Sequence, residues 1–146
     1  MQDQYRIPNS ARWLGYAGLM PFFGLAMLAV FGRNQAARET ALTMFIHYGA
    51  VIAAFLGGIR WGAVLASPSW RTLSLAVAPA LIAFGLVLLP KPDALKFFAL
   101  LFALLGLFDV SRRASVVWPH WFRSLRLQLS VAVVTCHLVL IYLYQA

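Results

Sequence analysis

The stretch ALTMFIHYGAVIAAFLGGIRWGAVLA, residues 41–66, decides the fold. It exceeds the roughly 20 apolar residues that an α-helix needs to cross a hydrocarbon core. Within it Ala50, Ala54, Gly58, Gly62 and Ala66 recur at every fourth position, which sets them on one ridge of a helix. Gly49, Ala53 and Gly57 make a second ridge beside the first. Among lipid tails, small-residue ridges let helix backbones approach closely and pack by dispersion. The segment therefore reads as a transmembrane helix that packs through Ala50, Ala54, Gly57, Gly58, Gly62 and Ala66.

The rest of the chain agrees. Of its 146 residues 62% are hydrophobic, against about half in a soluble domain, and the mean hydropathy is +0.80. Apolar runs at 13–31, 41–66, 73–89, 94–108 and 128–144 predict five transmembrane helices in one integral membrane domain, an all-α bundle. Only residues 109–127 form a long connection, and they read as an interfacial segment on the cytoplasmic side. The run that starts at Trp13 is too long for a signal-peptide core and reads as a retained span. A lone cysteine, Cys136, excludes an internal disulfide.

The formal charge of +8 gathers at the ends of these runs, where lipid headgroups lie. This distribution points to the bilayer and its anionic headgroups as the partner and argues against nucleic acid. Alternating spans put Arg6, Arg12, Arg71, Arg112, Arg113, Arg123 and Arg126 on one side, and Arg33, Arg38, Lys91 and Lys96 on the other. The richer side is expected to be cytoplasmic, or matrix in a mitochondrion, with the N-terminus inside and the C-terminus outside. Trp13, Trp61, Trp70, Trp118 and Trp121 fall at or near that same side, where indole suits the headgroup level.

Pro21 and Pro79 interrupt the first and third spans, and each is expected to kink its helix. The carbonyl freed at such a kink is normally rescued by a neighbouring helix, a hydroxyl or water. Pro92 and Asp93 suit the first turn of the fourth helix. That helix is short if it stops at Phe108, so it is expected to continue and draw Asp109 into the membrane boundary. Arg60 interrupts an apolar run close to the same boundary. An intramembrane arginine needs a partner, and Arg60 is expected to pair with Asp109, either to fix the helices or to form part of a binding site.

The aromatic and basic residues Trp118, Trp121, Arg123 and Arg126, with Trp61, Arg112 and Arg113, resemble lipid-interface anchors. His47 and His137 stand at similar depth on two helices and form the one pairing that offers a metal or haem site. Zinc-binding spacings and phosphate-binding glycine loops are absent from the sequence, and no second carboxylate stands near Asp109. No cofactor and no enzymatic activity are therefore expected.

Three segments carry a family resemblance: Leu14-Gly15-Tyr16-Ala17-Gly18-Leu19-Met20-Pro21-Phe22; Tyr48-Gly49-Ala50-Val51-Ile52 with Phe55-Leu56-Gly57-Gly58-Ile59-Arg60-Trp61-Gly62; and Trp121-Phe122-Arg123-Ser124-Leu125-Arg126. In this order they resemble the domain of unknown function 3429 family, which includes bacterial inner-membrane proteins and is related to vertebrate transmembrane protein 69. The resemblance implies an α-helical protein of the bacterial inner membrane, or of the mitochondrial inner membrane in a eukaryote, and it implies no reaction. Two functions are open at this point. One is a non-catalytic accessory, assembly or stabilising subunit that packs on a membrane-protein partner or a second copy through the second helix. The other is a small transporter, or an anionic-lipid or small-molecule binder, with its site near Arg60 and Asp109.

Overall fold

The computed structural model describes residues 7–111 and 118–145. Among them the regular elements are helices: α1 (Asn9–Ala17), α2 (Met20–Phe31), α3 (Gln35–Val64), α4 (Trp70–Leu86), α5 (Lys91–Val110) and α6 (His120–Gln145). The first two are one membrane-length rod, broken in the middle, so the bundle has five rods. The stretches Asn9–Phe31, Gln35–Val64 and His120–Tyr144 are long and apolar enough to cross a membrane. The 17 residues of α4 make a shorter rod. The 20 residues of α5 carry Lys91, Asp93 and Lys96 at one end and Asp109 at the other.

Capping chemistry, more than hydropathy, sets where these helices begin. The Asn34 side chain accepts from the Ala37 amide at 2.8 Å, so α3 starts six residues before the apolar run. Ser69 and Thr72 make a reciprocal capping box that opens α4 at Trp70. Pro92 and Asp93 occupy the first turn of α5. The Pro119 carbonyl accepts from Phe122 and Arg123, so α6 opens at His120, not at residue 128. Residues 120–127 are consequently the first two turns of a continuous helix. At the other end of the expected interfacial segment Asp109 and Val110 complete α5, so its described part is largely helical.

The two prolines behave differently. Pro21 interrupts the first rod where a proline is expected to: Gly18 and Leu19 keep right-handed helical dihedrals, and Pro21, in the first turn of α2, has no N–H to offer the Ala17 carbonyl. The Tyr48 hydroxyl of α3 donates to the Gly18 carbonyl at 2.9 Å and satisfies the break. Pro79 lies inside α4 and is buried.

The core is an aromatic layer shared by four helices. Phe22 of α2, Phe45 of α3, Phe98 and Phe102 of α5 and His137 of α6 are all almost wholly buried. Phe98 and Phe102 stack, and other pairs meet edge to face or tilted: Phe45 and His137 at 4.7 Å, Phe22 and Phe45 at 5.3 Å, and Phe102 and His137 at 5.6 Å between centroids. The outer surface is the reverse of a soluble protein's, with Leu81, Phe84, Leu107, Leu138 and Tyr142 all exposed to the surroundings.

Close backbone approach is concentrated where glycine allows it. A Cβ at Gly57 would lie 2.4 Å from the Ala76 carbonyl oxygen, so α3 and α4 touch there because Gly57 has no side chain. A Cβ at Gly106 would lie 2.7 Å from both Cβ and Oγ of Ser130, which ties α5 to α6 in the same way.

Candidate functional site

Asp109 is the centre of a buried charge cluster. It sits in the last turn of α5, where the negative end of the helix dipole disfavours a carboxylate, and it is only 3% exposed. Two arginines compensate. Arg60, one turn from the end of α3, donates from Nη2 to Asp109 Oδ1 at 2.8 Å and to the Leu105 carbonyl at 3.3 Å. Its guanidinium also lies over the Phe108 ring, with Cζ 4.6 Å from the centroid. Arg126, in the second turn of α6, donates from Nε to Asp109 Oδ2 at 2.9 Å. Arg123, one turn earlier, donates to the Val110 carbonyl at the very end of α5. Three arginines thus close one helix C-terminus, which favours cations.

The structure brings Arg60 and Asp109 together, and it adds Arg126, which the sequence reading had placed among the lipid anchors. Arg126 is inside because α6 begins eight residues early and turns Arg126, Ser130, Val133, His137 and Leu140 to its buried face. That spacing was the available signal: a basic residue in register with the buried stripe of the following span. Two guanidinium groups and one carboxylate leave the cluster with an unbalanced positive charge.

The other expected residues separate. Of the two ridges on α3, Gly49, Ala53 and Gly57 are buried in the bundle. Ala54, Gly58, Gly62 and Ala66 are exposed, Ala50 is half-buried, and a Cβ at Gly58 or Gly62 would meet nothing within 4 Å. Of this ridge only Ala50 packs against the core inside the chain; Gly57 belongs to the neighbouring ridge, which faces α4 and α5, and the two ridges cannot face the same way. Trp61 is exposed, while Trp118 and Trp121 flank Phe122 at 4.7 and 5.7 Å. Arg112 and Arg113 lie outside the described residues.

His47 and His137 do not form a site. His47 is on the outside of α3, where its Nδ1 meets the Thr43 carbonyl at 2.7 Å. Phe45, two residues earlier and so on the opposite face, takes the position against His137. His137 is enclosed by rings, with Nδ1 on the Val133 carbonyl at 2.8 Å. Among the described residues no three His, Cys, Asp or Glu side chains gather as metal ligands.

Fold and cluster together define a small polytopic α-helical membrane protein with a buried Arg–Asp–Arg cluster at one end of the bundle. The chain belongs to the family described as protein of unknown function (DUF3429), whose model matches residues 7–142. It is similar to transmembrane protein 69 of Xenopus tropicalis, 35% identical over 136 residues, covering 87% of this chain and 51% of that protein. It is also similar to transmembrane protein 69 of Mus musculus, 32% identical over 128 residues, covering 82% of this chain and 50% of that protein. The chain thus spans about half the length of the curated relatives it matches. No solved structure matches it.

Proposed function

We propose that the chain is a non-catalytic membrane subunit, an accessory or stabilising component that packs against a transmembrane helix of a partner protein through the outer ridge of α3. The observation that carries this reading is the open space at Gly58 and Gly62. One small-residue ridge of α3 is consumed by the bundle, yet a second has the same four-residue spacing and is exposed at Ala54, Gly58, Gly62 and Ala66, with only Ala50 packed on the core. Val51, Phe55, Trp61 and Leu65 flank it as exposed large side chains, giving the knobs that a partner helix would meet beside a close backbone approach.

The transport alternative has less support, because a polar passage would have to cross the layer that Phe22, Phe45, Phe98, Phe102 and His137 fill. The excess of arginines at the end that carries the cluster favours that end as cytoplasmic or matrix, in an inner membrane. Purification of the tagged protein from native membranes in mild detergent tests the subunit reading. A stoichiometric membrane protein should accompany the wild type and be lost from Gly58→Leu. Recovery of the wild type alone would remove the reading.

A further inference from the structure

Beside the Asp109 cluster a cleft of about 120 Å³ opens between α1, α2, α3 and α6. Its size approaches that of the ~150 Å³ apolar cavities that take up benzene. Its walls are almost wholly apolar, with Leu14, Leu19, Phe55 and Leu129 among them, and its two polar side chains are Arg126 and Ser130. Each of these is only 6% exposed. Arg126 Nη2 and Ser130 Oγ are both buried without a hydrogen-bond partner. They stand one turn apart on the same face of α6, and both residues line the cleft.

These two groups ask for a particular ligand. Arginine Nη2 can only donate, and the serine hydroxyl is free to donate, so the missing partner is an oxygen acceptor. Arg60 and Arg126 share one carboxylate, so the site is short of one negative charge in a region where unpaired charge is costly. Leu14 and Phe55, both exposed, stand at the mouth of the cleft, which opens it to the apolar surroundings of the bundle. Arg126 follows His120 by six residues, and Gly15 follows Asn9 by six, so both lie about 9 Å below that end of the bundle by helical rise.

We propose that this cleft binds an acyl-chain amphiphile with an anionic oxygen head, the head on Arg126 Nη2 and Ser130 Oγ and the chain against Leu14, Leu19, Phe55 and Leu129. The smaller void among Arg60, Asp109, Trp118 and Arg126, about 10 Å³, has room for one water at most and does not hold the head. The broken first rod suits such a site. None of the residues of α1 is buried, and its hold on α6 includes the Tyr16 hydroxyl donating to Gln128 at 2.7 Å, so α1 can adjust to a chain more readily than a continuous span.

Native mass spectrometry of the purified full chain, titrated separately with oleate, phosphatidylglycerol, phosphatidylcholine and inorganic phosphate, tests the proposal. Oleate or phosphatidylglycerol should bind with occupancy several-fold above phosphatidylcholine, and the comparison of the two identifies the head as carboxylate or phosphate. Loss of one hydrogen bond to a charged head in Ser130→Ala should weaken retention about tenfold. That variant leaves no partner stranded, so it keeps the test open if Arg126→Gln does not fold. Binding of inorganic phosphate without either amphiphile would overturn the proposal, and so would equal binding of phosphatidylcholine. Retention unchanged in both Ser130→Ala and Arg126→Gln would overturn it as well, leaving water as the partner of both groups.

Discussion

Replacing Asp109 with asparagine keeps the side-chain volume and removes the charge that two buried arginines share. In the folded protein the Arg60, Arg126 and Asp109 side chains are 11%, 7% and 4% exposed, so solvent screens the cluster weakly. Removing one member of a buried charge pair costs about 3–5 kcal/mol, because the remaining charge is left uncompensated. Here a single change strands two cations, and the upper half of that range applies. Arg60→Gln differs in kind. It removes the contacts to Asp109, the Leu105 carbonyl and the Phe108 ring, but Asp109 keeps Arg126 at 2.9 Å. A lost hydrogen bond to a charged group predicts about 1.5–3 kcal/mol. Unfolding of the purified protein in mild-detergent micelles by added dodecyl sulfate, followed by tryptophan fluorescence, measures both variants against wild type. The expected order is Asp109→Asn well below Arg60→Gln, and Arg60→Gln below wild type. If Asp109→Asn loses no more stability than Arg60→Gln, the carboxylate is not the shared counter-charge and the description of the cluster is wrong.

Glycine substitutions on α3 should separate its two ridges: Gly57→Ala drives a Cβ to 2.4 Å from the Ala76 backbone oxygen and should cost about 1–3 kcal/mol in the same unfolding assay. Gly58→Ala meets open space, so the isolated chain should lose nothing and gain up to about 1 kcal/mol from helix propensity. Tyr48→Phe leaves the Gly18 carbonyl without its hydroxyl donor, and a loss of about 1–2 kcal/mol is expected, read as a lower unfolding midpoint. Glu39→Gln breaks an ion pair with Lys91 whose side chains are 45% and 36% exposed; less than about 1 kcal/mol should be lost, and less still in high salt.

The helical class and the rods were legible because long apolar runs admit few other folds. The Arg60 and Asp109 contact was legible because each is an ionisable residue out of place at the same boundary. Arg126 was harder. It precedes the apolar run of α6, so hydropathy puts it at the interface, whereas its helical spacing to Ser130 and His137 puts it inside. Which ridge of α3 packs within the bundle could not be read at all: Gly57 and Gly58 both obey the four-residue rule, and the choice depends on where Ala76 and Pro79 of α4 come to rest. Pro21, by contrast, was legible: a proline in an apolar run interrupts its helix, and the first rod is broken one turn before it. His47 and His137 share a depth, and depth says nothing about which way a side chain faces.

On the function proposed above, the outer ridge of α3 is a contact surface for another membrane protein. A photo-crosslinking residue placed at Gly62, with the same residue at Leu81 on the exposed surface of α4 as the comparison, tests it in native membranes. One discrete protein adduct is expected from position 62 and none from position 81. Crosslinking from position 62 to lipid alone would contradict it.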